Sequence, residues 1–381
     1  MIIIDEIKLS KELIRFPSVT PVDAGVIKFL SKKLKSLGFK CQILEFKDKK
    51  SPPIKNLYAR LGNKQPNICY AGHTDVVPPG NYKDWTTNPF TPIIKNNRLI
   101  GRGANDMKSS IACFISAVSK FLRSKSNFNG SISLLITGDE EGVAINGTKK
   151  VVEYLKKKRE KINFCIVGEP TNPKRLGEMI KIGRRGSINF SLKISGSQGH
   201  VAYPDKADNP IDIIPKIFEE FKKPFDNGSE KFQQTNLVIT SVDADNKIAN
   251  LIPSFVNILF NVRFNDKFNS EKIIKVIHSR IKKITKNYIL TSKVSGESFI
   301  NYSEFLIKCL TKSIKKVTNT TPELSTSGGT SDARFISEIC PVLEFGSIGE
   351  TMHKTNEMVS IKDIEKLSEI YYEFLKNVFN N

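Results

Sequence analysis

The segment YAGHTDVVP ends an apolar run with His73 and, two residues later, Asp75, in a chain that has only 4 histidines in 381 residues. In extended backbone, residues i and i+2 project to the same side. The Asp75 carboxylate can therefore orient the His73 ring as carboxylates do behind metal-bound imidazoles. Alone, a loop histidine beside an aspartate is an ordinary solvated pair. Three further segments share its setting. GRGANDMKSS puts Asp106 just ahead of a helix pattern, LLITGDEEG puts Glu140 and Glu141 after a strand pattern, and CIVGEPT puts Glu169 after another. Singly these read as a helix-entry residue, a solvated acidic turn and a loop carboxylate. Together they sit at equivalent strand ends, which in an open α/β sheet converge on one crevice. Imidazole and carboxylate donors suit Zn²⁺ or a similar divalent ion, and a carboxylate can bridge two ions about 3.5–4 Å apart. Adjacent Glu140 and Glu141 point opposite ways on extended backbone, so one can bind metal while the other stays free as a base. His353 in GETMHKTNE is the candidate second histidine ligand. His278 falls in a lysine-rich amphipathic helix pattern and reads as surface or core packing.

A sheet must position these groups. Strand-like runs at NICYAG, SISLLIT and NFCIVG alternate with helical stretches at 108–123 and 147–159, which predicts an α/β domain with a largely parallel central sheet. Thr20 and Pro21 read as the cap and first turn of a helix carrying Ile27, Leu30, Leu34 and Leu37 and stopped by Gly38. From residue 184 the pattern changes. SINFSLKIS, NPIDIIPKIFEEFKK, NLVITSV, SFVNILFNVRF, SEKIIKVIHSRIKKI and YILTSKV read in order as β-α-β-β-α-β, a ferredoxin-like α+β arrangement. The first pattern resumes after residue 295. The expected organisation is a discontinuous domain, 1–183 and 296–381, with 184–295 inserted.

A length of 381 residues makes two domains the natural expectation. A hydrophobic fraction of 39%, a charged fraction of 26% and a mean hydropathy of -0.26 describe a soluble globular chain. No apolar run approaches the roughly 18 residues of a membrane span, and the MIIID start is too short for a signal core, so neither a membrane nor export is expected. Cys41, Cys69, Cys113, Cys165, Cys309 and Cys340 lack CxxC spacing and read as reduced core residues of a cytoplasmic protein. The net charge of +20 attracts polyanions, but the lysines are spread along the whole chain without a basic arm or aromatic platform. A small anionic substrate is expected and specific nucleic-acid binding is not.

The segments RFPSVTPVDAG, GHTDVVPPGNYKDW, GRGANDMK, TGDEEG, VGEPT, GRRGS, QGHVAYP, SGGTSDARF and HKTNE occur in this order. They resemble, nearly end to end, the motifs of the dizinc aminoacylase and carboxypeptidase family. The last four resemble its branch acting on N-succinyl-LL-2,6-diaminopimelate more than its acetylornithine branch. The resemblance implies that Asp106 bridges two Zn²⁺ per subunit, for which Co²⁺ or Mn²⁺ can substitute. It gives His73 and Glu169 to one ion, Glu141 and His353 to the other, the role of general base to Glu140, and a clamp on the His73 ring to Asp75. It further implies a cis peptide after Asp106 and a homodimer formed through the inserted lid domain. His200 would then reach the active site of the partner subunit.

By the same resemblance Arg184, Ser187, Tyr203, Asn250, Arg263, Gly329 and Thr330 hold the small anionic N-succinyl amino acid substrate. Arginine forks suit its carboxylates. Ser109 stands where the family usually has glycine and Asp205 where histidine is common; neither departure removes a ligand. The implied activity is metal-dependent amide hydrolysis in lysine and diaminopimelate synthesis. The alternatives are another N-acyl amino acid substrate, such as acetylornithine, and a catalytically silent protein that holds anions or nucleic acid.

Overall fold

The computed structural model describes residues 3–49, 51–125 and 128–380, so the first two residues of the MIIID start lie outside the described residues. The chain divides into two compact units. The first comprises residues 1–183, 301–325 and 331–381. Its eight-stranded sheet has the order Lys40–Phe46, Ile54–Gly62, Ser131–Thr137, Asn67–His73, Phe164–Val167, Val342–Glu344, Met179–Lys181, Glu323–Ser325. The middle strands, from Ser131–Thr137 across to Val342–Glu344, run parallel.

Every residue of Asn67–His73 and of Ser131–Thr137 is buried, as expected for strands covered on both faces. The helix Lys108–Ser124 is also buried almost throughout, because small serines and alanines let it pack between Glu6–Ile14 and Ile361–Phe379. Tyr70 ties strand to helices: its ring stacks on Phe114 at 4.3 Å and meets Tyr371 edge-on at 5.7 Å.

The sheet order explains where a site can form. From Asn67–His73 the chain crosses to Ser131–Thr137 on one side and then to Phe164–Val167 on the other. The connections leave a crevice at the carboxyl end of the strand that carries His73. The register keeps the neighbouring ends level, with His73 opposite Thr137 and Ala71 opposite Val167.

The second unit comprises residues 184–300 and 326–330. Its antiparallel four-stranded sheet has the order Asn236–Asp243, Phe255–Phe264, Gly186–Ser195, Tyr288–Gly296. With the helices Ile214–Lys222 and Ser270–Lys282 this is the ferredoxin-like order. Alternation supplies the core: Ile188, Phe190, Leu192 and Ile194 face the same way as Val256, Ile258, Phe260 and Val262, and pack with Ile217, Phe221, Ile273 and Ile277.

Three local readings differ. The helix anticipated from Thr20 begins at Val26. The backbone at Val19 and Thr20 is instead engaged with Val76, and Asp23 accepts from the Gly25 and Ile27 N–H groups. The strands Lys40–Phe46 and Ile54–Gly62 were not anticipated; the first is half-exposed at the sheet edge, with no apolar run to mark it. The second unit also continues past residue 295, through Phe299–Ile300, and takes in 326–330. Among the described residues no helix is long and apolar enough to cross a membrane.

Candidate metal centre

Strand ends and loops of the first unit bring six of the anticipated side chains together. His73 closes its strand with its ring buried. Its Nε2 lies 3.2 Å from Asp106 Oδ1 and 3.7 Å from Glu169 Oε1. His353 reaches the same aspartate from the opposite side, its Nε2 3.3 Å from Asp106 Oδ2 and 2.9 Å from Glu141 Oε1. The Glu140 carboxylate lies within 4.8 Å of donor atoms of His73 and Glu169. The Asp106–Met107 peptide is cis. The donors form two overlapping groups, His73 with Glu140 and Glu169, and His73 with Asp106 and Glu141.

Asp75 meets the His73 ring through both its backbone and its carboxylate. The His73 ring is held by the Asp75 backbone carbonyl, 2.9 Å from Nδ1, while the carboxylate lies at 3.7 Å. That carboxylate also accepts from the backbone N–H groups of Glu140, at 3.3 Å, and Glu141, at 3.0 Å. It fixes the acidic turn, and Asp139 does the same on the far side by accepting from the N–H groups of Ile145 and Asn146.

Electrostatics show what the cluster needs. Burial and then the charge of Glu169 push the Glu140 carboxyl well above its ordinary range. Burial raises Asp75 to about 6 against the pull of His73. Burial would raise Asp106 too, but hydrogen bonds from His353 and His73 hold it below the usual carboxylate range. The Asp106 and Glu141 contacts in turn lift His353 to about 10. Burial would lower His73, but Asp106 and Glu169 keep it well above an ordinary histidine. Five carboxylates crowd two imidazoles, and closely packed carboxylates call for positive charge. Nitrogen and oxygen donors of this kind fit divalent cations such as Zn²⁺.

The remaining anticipated residues belong to the second unit. Arg184 is buried and its Nη1 donates to the Ser327 carbonyl at 3.2 Å, beside Gly329 and Thr330 in sequence. Ser187 and Arg263 are opposed in the sheet, and Asn261 joins them, donating to Ser187 Oγ at 3.1 Å and accepting from Arg263 Nε at 3.1 Å. Burial and then the like charges of Arg185 and Arg184 pull the Arg263 guanidinium below its ordinary value. His200, Tyr203 and Asn250 lie in exposed segments: His200 Nδ1 accepts from Ala202 N at 3.1 Å, and the Asn250 carbonyl accepts from Val201 N at 3.2 Å. Asp205 sits in the short helix Pro204–Lys206, and Ser109 is buried in the helix after Asp106. His278 lies outside both groups, its Nδ1 2.8 Å from the Tyr288 hydroxyl.

Asp139, Arg102, Lys108, Asn261 and Glu357 also brace the two units, with no sequence signal for their roles. Lys108 is fully buried, donates to the Phe16 carbonyl at 2.8 Å and is pulled down to about 7 by burial. Arg102 and Glu357 stand inside GRGANDMK and HKTNE, and nothing in their spacing marks them as partners.

Residues 69–377 match peptidase family M20/M25/M40, and the chain belongs to that family. A protein of Pelagibacter ubique (strain HTCC1062) named succinyl-diaminopimelate desuccinylase is 60% identical over 380 residues, covering 98% of this chain and 99% of its own length. Among solved structures, the M20 family metallo-carboxypeptidase Sso-CP2 of Sulfolobus solfataricus superposes with a TM-score of 0.78 at 19% identity, covering 98% of both chains. The Bacillus subtilis YXEP protein, described as a dinuclear metal binding peptidase from the M20 family, gives 0.70 at 15% identity over 98% of both.

Proposed function

We propose that this protein is a metal-dependent amidohydrolase that cleaves N-succinyl-LL-2,6-diaminopimelate to succinate and LL-2,6-diaminopimelate. The observation that carries the chemistry is the Asp106 carboxylate set between two imidazoles, with His73 on one oxygen and His353 on the other. The 60% identity to a named desuccinylase supports the substrate.

Asp106, His73 and Glu169 would hold one Zn²⁺, and Asp106, Glu141 and His353 a second. Such ions, when bound, polarise an amide carbonyl and lower the pKa of water toward neutrality. Glu140 belongs to the same cluster, and the proposal keeps it as the base: it takes the proton of the attacking water and returns it to the leaving amine. Its carboxylate lies within 4.8 Å of donor atoms of His73 and Glu169, beside the place where a metal-held water would stand. Asp75 and Asp139 fix the backbone on either side of this base, so its carboxylate stays aimed without reorganisation.

Arg184 and Arg263, with Ser187, Tyr203, Asn250, Gly329 and Thr330, take the substrate's carboxylates and amide. Guanidiniums that repel one another gain when an anion enters between them, which supports this assignment. The second unit serves as the dimerisation domain, and His200 donates to the oxyanion in the partner subunit's site; the exposure of the segment around His200 supports a role at an interface. We place the enzyme in the cytoplasm, in lysine and diaminopimelate synthesis.

The test is hydrolysis of N-succinyl-LL-2,6-diaminopimelate by zinc-loaded protein, with N-acetylornithine in parallel and a chelated control. Chelator-sensitive turnover of the succinyl compound alone supports the reading. Turnover of acetylornithine instead keeps the metal chemistry and discards the substrate assignment.

A further inference from the structure

The loop before the cis peptide, residues 102–106, carries Asp106 but has no helix or strand of its own to hold it. Its backbone converges on one buried side chain. Glu357 Oε1 accepts from Asn105 N at 2.7 Å and Asp106 N at 2.9 Å, and Oε2 from Gly103 N at 3.0 Å. Arg102, also buried, donates from Nη1 to Glu357 Oε2 at 2.8 Å. Arg102 then turns to the other side of the centre, donating to the carbonyls of Lys354 at 3.3 Å and His353 at 3.5 Å. Its guanidinium lies 5.2 Å from the Trp85 ring.

We propose that Glu357 and Arg102 form a paired positioning device that sets the spacing of Asp106 from His353. Glu357 grips the backbone of the first, Arg102 that of the second, and their ion pair joins the two grips. The carboxylate suits this place for a definite reason. It is acceptor-only, so it can take several converging N–H groups at once, which a neutral amide cannot. Neither side chain need touch substrate or metal; both act through residues that do. The inference rests on reading Asp106 and His353 as metal ligands, and it adds why a loop ligand and a distant histidine stay in register.

The test is Zn²⁺ and Co²⁺ titration of metal-free wild type, Glu357→Gln and Arg102→Met, followed by calorimetry and by the visible absorption of the cobalt forms. Melting of the metal-free proteins is measured alongside. Glu357→Gln keeps one acceptor oxygen and turns donors toward Gly103 N and Arg102. We expect its metal affinity to fall about 10- to 100-fold, as for other residues that orient ligands, with a changed cobalt band. Arg102→Met leaves the grip on Asp106 and should weaken one of the two ions only. If Glu357→Gln does not fold, the double variant Arg102→Gln/Glu357→Gln, which leaves no lone buried charge, must show the same loss. A folded variant at Glu357 with wild-type affinity and cobalt spectrum overturns the inference. A wild type that binds no metal overturns the ligand reading beneath it, so the two failures are told apart.

Discussion

The Glu141 carboxylate and the His353 imidazole, 212 positions apart in the chain, meet at 2.9 Å. They arrive from different parts of the sheet, Glu141 after Ser131–Thr137 and His353 beyond Val342–Glu344. Both strands lie parallel to the middle of the sheet and end at the same edge. A short turn then delivers Glu141, and a longer loop, with His353 at φ 62°, delivers the imidazole.

Glu140→Gln should keep its metal and lose turnover. The amide is nearly the same size, and its neighbours Asp75 and Asp139 still hold the turn. With no base, kcat should drop by about 100- to 10,000-fold. Metal analysis and steady-state assays on the same preparation check it, and near-normal kcat would remove Glu140 from its role.

Replacing ligands should separate the two ions. Asp106→Asn weakens the carboxylate proposed to hold both ions, set between the His73 and His353 rings, so both ions should be lost on dialysis. His353→Ala should release one and retain the other with His73 and Glu169. Metal per subunit after gel filtration is the measurement; equal loss from both variants would speak against the shared carboxylate.

Arg263→Met should act on the substrate and leave the metals alone, since Arg263 belongs to the second unit and the ligands to the first. Losing a hydrogen bond to a charged group costs about 1.5–3 kcal/mol, roughly 10- to 100-fold in kcat/KM. Unchanged kinetics on the succinyl substrate would reassign Arg263 to structure.

Away from the site, Glu373 takes Lys316 Nζ at 2.8 Å and Lys376 Nζ at 2.9 Å. Burial would raise its pKa, but the two lysines hold it below the ordinary value. A lowered folded pKa adds stability that is complete above the unfolded value, about 4.3, and is lost as pH falls through the folded one. Glu373→Gln should therefore melt below wild type at neutral pH, with the gap closing in acid. Melting curves at neutral and acid pH decide it; a gap of the same size in both would rule out the charge as its cause.

The sequence by itself determined the local pieces. The strand-like runs NICYAG and SISLLIT, rich in β-branched and aromatic side chains and bounded by turn residues, marked strands of the central sheet, and alternation in SINFSLKIS and SFVNILFNVRF marked a one-faced sheet. Histidine and carboxylates at strand ends were legible because a side chain's chemistry is local and parallel sheets gather such ends. What only the tertiary structure decided were pairings between segments far apart. The spacing of Asp75 pointed to the His73 ring, 3.7 Å from its carboxylate, but not to the Asp75 carbonyl on that ring or to the Glu140–Glu141 turn that the carboxylate holds. Glu357 carried no signal, because what it accepts are backbone N–H groups, which every residue but proline possesses. A motif records the identity of side chains; which backbone they hold is settled by the path of the chain.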